Sequence, residues 1–301
     1  MRVSIAGVEL RSPVIAASGT FGYGVEFEDI VSIDRIGAFV TKGLSREPMA
    51  GNPTPRIIET PAGMINAIGL QNMGVKAFIA EKLPKILQIK GAVAIANVFG
   101  FTIEDCLEVI HALNDAPGIV MYELNASCPN TSHGGMVFGT NHELLFELTS
   151  RCRAVARRPL MVKLSPNVTS VGLMARVAAD AGADAVSLVN TFLALAIDVE
   201  TRRPRIANVT GGLSGPAIKP IAVRMVNEVS RAVKIPIVGM GGIVRAEDVV
   251  EFMLAGATAV QVGTASYADP RATENIATGL KKWCASHNIA RVSELTGAAL
   301  L

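Results

Sequence analysis

Short apolar runs rich in β-branched residues alternate along this chain with longer stretches whose apolar positions recur at helical spacing. The runs predict strands near residues 14–17, 38–41, 93–97, 120–125, 160–164, 185–189, 235–239 and 259–262. Most intervals between them read as helices, among them 141–156, 171–180, 218–232 and 246–254. Ahead of the first strand, MRVSIAGVELRSP alternates in the manner of a short hairpin. Eight strands separated by helices in 301 residues is the arithmetic of an α/β fold, the (β/α)8 or TIM barrel with an N-terminal β-hairpin. A doubly wound open sheet is the alternative. No low-complexity linker or shift in composition divides the chain, so residues 1–301 read as one domain.

Two segments repeat one pattern: Ala181-Gly-Ala-Asp-Ala-Val-Ser-Leu-Val-Asn190 and Ala255-Gly-Ala-Thr-Ala-Val-Gln-Val-Gly-Thr264. Ile36-Gly-Ala-Phe-Val-Thr-Lys-Gly43 echoes it. In each a glycine ends a helix and an apolar strand succeeds it at once, as expected of equivalent αβ units. The residues at the strand ends carry more information. The first strand runs to Ser18, the second to Lys42, the third to Asn97, the fourth to Asn125; Lys163 stands near the end of the fifth and Asn190 ends the sixth. The seventh runs into Gly241-Gly242 and the eighth into Gly263-Thr264. Barrel active sites lie on this face, so these side chains are expected to converge on one pocket.

Composition removes several function classes. Half of the residues are hydrophobic (50%), 18% are charged, and mean hydropathy is +0.40, which is too apolar for disorder. The formal net charge is +2 with no block of like charge, so a nucleic-acid or anionic-membrane surface has no support. The longest apolar-looking stretch, 252–268, is interrupted by Gly, Thr, Gln and Ser and is short of a spanning helix. The N-terminus lacks the apolar core of a secretory signal, and the four cysteines lie far apart without a CxxC. Those features predict a reduced, cytoplasmic protein with no metal site. His142-Glu143 begins like HExxH, but Phe146 fills the second ligand position; no P-loop, dinucleotide fingerprint or nucleophile elbow is present.

Gly241-Gly242 after strand seven and Gly263-Thr264 after strand eight suit a phosphate held by backbone N–H groups, in either a substrate or a cofactor. Amides (Asn66, Asn97, Asn125, Asn190) outnumber acids at the strand ends, and an amide offers both a donor and an acceptor. That suits a planar ring with imide or lactam edges, a pyrimidine or the isoalloxazine of a flavin. Cys106, Cys152 and Cys284 fall in helical patterns and read as packed thiols. Cys128 instead sits in Asn125-Ala-Ser-Cys-Pro-Asn130, ahead of Thr131-Ser-His-Gly-Gly135, which is expected to form a lid loop over the C-terminal face. As a thiolate it would serve as nucleophile or base.

On these residues the chain resembles the catalytic subunit of the class 1 dihydroorotate dehydrogenases. The resemblance runs in order over nearly the whole chain. It includes Ala17-Ser-Gly-Thr-Phe-Gly22, Gly51-Asn-Pro-Thr-Pro-Arg56, Asn66-Ala-Ile-Gly-Leu-Gln-Asn72, Glu123-Leu-Asn-Ala-Ser-Cys-Pro-Asn130 and Val162-Lys-Leu-Ser-Pro-Asn167. It continues through Thr210-Gly-Gly-Leu-Ser-Gly-Pro-Ala-Ile-Lys-Pro220 and Gly239-Met-Gly-Gly242.

The resemblance implies that the phosphorylated ligand is FMN, one per chain, with its phosphate at Gly241, Gly242, Gly263 and Thr264. Ser18, Lys42, Gly43, Asn97, Asn125, Lys163, Val189 and Gly215 would line the rest of the flavin. Lys42, Asn66, Ala67, Ile68, Gly69, Leu70, Asn125, Asn190 and Thr191 would hold dihydroorotate. Cys128 would be the base at C5, while C6 passes a hydride to the flavin. A serine stands in its place in class 2 enzymes, which also carry an N-terminal membrane extension. The stretches at 66–72 and 212–220 resemble the NAD-linked subtype B. That subtype implies a separate subunit with FAD and a [2Fe–2S] cluster, on a homodimer core, in a two-plus-two heterotetramer. Ala126, where related motifs carry a larger aliphatic residue, departs from the pattern without removing a functional group. A fumarate-linked dihydroorotate dehydrogenase and a dihydropyrimidine dehydrogenase-type flavoenzyme are the near alternatives, and Lys42 argues for the carboxylated substrate. A phosphate-binding barrel isomerase or lyase, and a non-catalytic flavin scaffold, are the distant ones.

Overall fold

The fold is described from a computed structural model over residues 1–127 and 138–299. Eight parallel strands close into a barrel: β1 (Val14–Ala16), β2 (Ala38–Val40), β3 (Ala94–Val98), β4 (Ile119–Asn125), β5 (Leu160–Lys163), β6 (Ala185–Leu188), β7 (Ile237–Met240) and β8 (Ala259–Val262). They succeed one another around the ring in chain order, and β8 pairs with β1 to close it. A parallel barrel is covered by helices outside and filled by side chains inside, so its strands are buried on both faces. That is why they read as unbroken apolar runs: β1, β2, β3, β5, β6, β7 and β8 are buried at every position.

The expected helices form as His142–Val155, Val171–Asp180, Lys219–Ala232 and Ala246–Leu254. Two starts are fixed by capping: Asn141 accepts from the Leu144 N–H at 3.0 Å, and Ser170 from the Leu173 N–H at 3.2 Å. Cys106 and Cys152 lie buried on the neighbouring helices Ile103–Asn114 and His142–Val155, and Cys284 is buried on Ala272–Ser286. The hairpin forms from Val3–Ile5 and Val8–Leu10, with Ile5 and Leu10 in the core. Strand seven differs from the sequence pattern, beginning at Ile237 rather than 235. Pro236 has no N–H to give a ladder, although its carbonyl still accepts from Val186.

Two sheets are absent from the sequence expectation, the smaller being the antiparallel pair Ile197–Asp198 and Arg203–Pro204. Phe192–Leu195, Thr210–Ser214, Gly63–Asn66 and Ile57–Thr60 form a four-stranded antiparallel sheet. Phe192 and Leu213 pack onto the core, while Asn66, Gly212 and Leu193 border a cavity at the end of the barrel. Among the described residues no helix is long and apolar enough to cross a membrane.

Candidate active site

A cavity of about 510 Å³ opens at the C-terminal ends of the barrel strands, beneath the four-stranded sheet. Each strand end delivers side chains to it. Ser18 comes after β1, Lys42 and Gly43 after β2, Asn97 sits on β3, Asn125 ends β4 and Lys163 ends β5. Val189, Asn190 and Thr191 come after β6, Gly241 and Gly242 after β7, and Gly263 and Thr264 after β8. From above come Gly215 and the segment Asn66, Ala67, Ile68, Gly69 and Leu70. Every site residue expected from the sequence therefore borders this one cavity, except Cys128, which lies outside the described residues together with the expected lid.

Two lysines give the cavity its charge. Lys163 is 7% exposed, and no acceptor among the described residues takes its ammonium. A buried cation is costly without a partner, so this position fits an anionic or electron-rich ligand. The Lys42 amine is half-buried, and its pKa is lowered from the ordinary 10.5, chiefly by burial and further by the Arg56 guanidinium, with Glu26 opposing. Its backbone is anchored by the N–H bond to Gly22 O at 2.7 Å.

The turns after β7 and β8 form a backbone cradle. No acceptor among the described residues takes the N–H groups of Gly242, Ile243, Gly263 or Thr264. Gly242 has φ +74°, and a Cβ there would lie 2.7 Å from Gly215 O and 2.9 Å from Lys219 Cβ. Gly263 differs, because a Cβ there would meet nothing closer than 3.6 Å. The protein itself does not require glycine at 263; a methyl group would fill space that the cavity keeps open. Free N–H groups around a concavity suit a phosphate.

Beneath the cavity, Glu123 organises the polar floor. It is fully buried on β4 and accepts from Asn97 Nδ2 at 2.7 Å, Ser187 Oγ at 2.9 Å and Gln261 Nε2 at 2.6 Å. These donors come from β3, β6 and β8, and β8 stands diametrically opposite β4 in the ring. A carboxylate only accepts, so it fixes both amides with their NH2 groups turned toward it. Asn97 Oδ1 and Gln261 Oε1 then have no partner among the described residues, which leaves carbonyl acceptors on cavity-lining side chains. The free N–H cradle, the unpaired Lys163 and these orphaned carbonyls together fit a phosphorylated, imide-bearing ring. Glu123, Ser187 and Gln261 were not among the residues expected from sequence. The available signal was a single Glu and a single Gln inside otherwise apolar strands, where a lumen-facing carboxylate reads no differently from a solvent-facing one.

A family model described as dihydroorotate dehydrogenase matches residues 1–283. A relative from Pelobacter propionicus named dihydroorotate dehydrogenase B (NAD(+)), catalytic subunit, is 57% identical over 298 residues, covering 99% of this chain and 98% of its own. A relative of the same name from Trichlorobacter lovleyi is 55% identical over 298 residues, covering 99% of this chain and 98% of its own. One from Solibacter usitatus, provisionally named dihydroorotate dehydrogenase A (fumarate), is 56% identical over 297 residues, with 99% and 97% covered. With a matched cavity-bearing barrel and relatives of this identity over its whole length, the chain belongs to the dihydroorotate dehydrogenase family.

Proposed function

We propose that the chain is the catalytic subunit of an NAD-linked class 1 dihydroorotate dehydrogenase, oxidising (S)-dihydroorotate to orotate for pyrimidine biosynthesis in the cytoplasm. The observation that carries this is the convergence of two lysines, an amide-rich wall and a free N–H cradle on one cavity. FMN fits that chemistry and, when bound, supplies the acceptor for the hydride that leaves C6 of the substrate. Gly241, Gly242, Gly263 and Thr264 hold its phosphate through backbone N–H groups. Ser18, Gly43, Asn97, Val189 and Gly215 border the remainder.

The residues of this chain then have separable tasks. Lys42 meets the substrate carboxylate, and Asn66, Asn125, Asn190 and Thr191 read the ring edges by hydrogen bonds. Residues 67–70 close the substrate side of the cavity. Cys128 Sγ removes the proton from C5, so that loss of H⁺ from C5 and hydride from C6 leaves the C5–C6 double bond of orotate. Lys163 offers a fixed positive charge beside the site where negative charge develops. Electrons continue to NAD through a separate subunit carrying FAD and a [2Fe–2S] cluster, in a two-plus-two heterotetramer around a dimer of this chain. The relatives' name, catalytic subunit, supports a separate partner.

A second reading has an observation behind it, since the Solibacter relative carries the fumarate name at nearly the same identity. An anaerobic visible spectrum tests both. Dihydroorotate is expected to bleach the flavin of the purified chain, and fumarate is expected not to restore it. Restoration by fumarate at catalytic rate would move the chain to subtype A. A flavin-loaded protein that stays yellow would remove dihydroorotate as substrate.

A further inference from the structure

Asn125 at the end of β4 and Asn190 just past β6 face one another across Ser127, and all three border the cavity. Ser127 is buried. Its hydroxyl donates to Asn125 Oδ1 at 2.7 Å and accepts from Asn190 Nδ2 at 2.6 Å. The oxygen and nitrogen of an amide are nearly alike in shape, so orientation has to come from partners of known sense. Both ends of this relay have such partners, because a backbone N–H only donates. The Ser127 N–H reaches Asn125 Oδ1 at 3.3 Å, and the Thr191 N–H reaches Asn190 Oδ1 at 2.8 Å. Turning either side chain over would set donor against donor. The relay from Asn190 N–H through the Ser127 hydroxyl to the Asn125 carbonyl therefore runs in one direction.

The consequence is a biased wall. Asn125 Oδ1 has both lone pairs engaged, and no acceptor among the described residues takes Asn125 Nδ2. With no taker among the described residues, both N–H bonds of Asn125 and one of Asn190 remain for a ligand. Among the described residues, spare acceptor capacity on this wall is confined to one lone pair each on Asn190 Oδ1 and Ser127 Oγ.

We propose that Ser127 is a positioning residue that locks this wall in its donor orientation, so that the site selects the carboxylate- or carbonyl-bearing edge of its ring substrate and disfavours an edge presenting N–H. The inference rests on the reading of the site as a dihydroorotate site, whose substrate and product carry both kinds of acceptor. Without the hydroxyl, Asn125 Oδ1 loses its shorter donor and Asn190 Nδ2 its acceptor, so each amide is left held by a single backbone N–H and the wall loses the bond that ties its two sides together.

The test compares wild-type, Ser127→Ala and Ser127→Thr proteins in flavin-loaded form, titrated with orotate and followed by flavin absorbance, with dihydroorotate turnover alongside. Ser127→Ala is expected to keep its flavin and thermal midpoint. It should weaken orotate binding about tenfold, the worth of one hydrogen bond to a charged or strongly polar group, with kcat/KM falling in proportion. Ser127→Thr, which keeps the hydroxyl, is expected to restore most of both. Should the alanine variant lose its flavin, Ser127→Thr against Ser127→Val makes the same comparison at equal volume. Orotate binding within twofold of wild type in the hydroxyl-free variants, or a threonine variant no better than its hydroxyl-free partner, would overturn the proposal. If the wild type neither binds orotate nor bleaches with dihydroorotate, the site reading itself falls. If it does both and the variants match it, only the role of Ser127 falls.

Discussion

At the scale of single residues, charge and hydrogen-bond sense decide most of what the cavity does. Glu123 has no exposed surface and takes hydrogen bonds from three side chains. Glu123→Leu leaves those donors unsatisfied in the barrel lumen, at a cost on the order of 3 kcal/mol or more. The urea midpoint is expected to fall by that equivalent with an unchanged slope; an unchanged midpoint would mean the donors find other partners. Lys42 gives a pH dependence. On the proposed reading its ammonium form binds the substrate carboxylate, and burial moves its pKa below 10.5. Orotate affinity is therefore expected to fall as pH rises through that lowered value, earlier than an ordinary lysine would allow. Lys42→Met is expected to weaken orotate binding by roughly ten- to a hundredfold at neutral pH, as for loss of a charged hydrogen bond worth about 1.5–3 kcal/mol. It should also abolish the alkaline fall, which separates titration of Lys42 from titration of the ligand. An alkaline limb that survives in the methionine variant would assign the pH dependence elsewhere.

At the scale of elements, the two cradle turns look alike in sequence and differ in what they tolerate. Gly242 has a positive φ and a backbone oxygen 2.7 Å from where a Cβ would stand, so Gly242→Ala is expected to destabilise the fold by about 1–3 kcal/mol. A Cβ at Gly263 meets nothing closer than 3.6 Å, so Gly263→Ala should fold with nearly unchanged stability, within about 0.5 kcal/mol, yet purify with little flavin. Thermal unfolding and the flavin-to-protein absorbance ratio separate the two effects. Full flavin content in Gly263→Ala would remove the phosphate from that turn. The barrel strands themselves were legible because burial on both faces writes a continuous apolar run, and their polar terminators marked the cavity rim. The four-stranded sheet was not legible. Gly63–Asn66 pairs with Thr210–Ser214 across a long stretch of chain, and segments such as Thr-Gly-Gly-Leu-Ser carry no local strand pattern. The same limit hid Glu123, whose partners come from three other strands and whose neighbours in sequence are merely apolar.

At the scale of the whole molecule, the barrel brings one reaction chamber to one end and leaves the question of where the electrons go. Its four cysteines stand far apart in sequence without a CxxC, among the described residues no cluster of metal-ligating side chains forms, and the sequence holds no dinucleotide fingerprint. Three of them are buried in helices. The chain is therefore expected to complete the reductive half of the cycle alone and to need a second polypeptide for NAD. Mixed anaerobically with dihydroorotate, the isolated chain should bleach within the dead time or the first seconds and stay bleached when NAD is added. Addition of the electron-transfer subunit should restore the yellow flavin together with NADH absorbance at 340 nm, in equal amounts, because each two-electron oxidation of the substrate ends as one hydride on NAD. Reoxidation of the isolated chain by NAD at the rate of the assembled enzyme would show that this barrel binds the dinucleotide itself, and the case for a partner carrying the electron path would be lost.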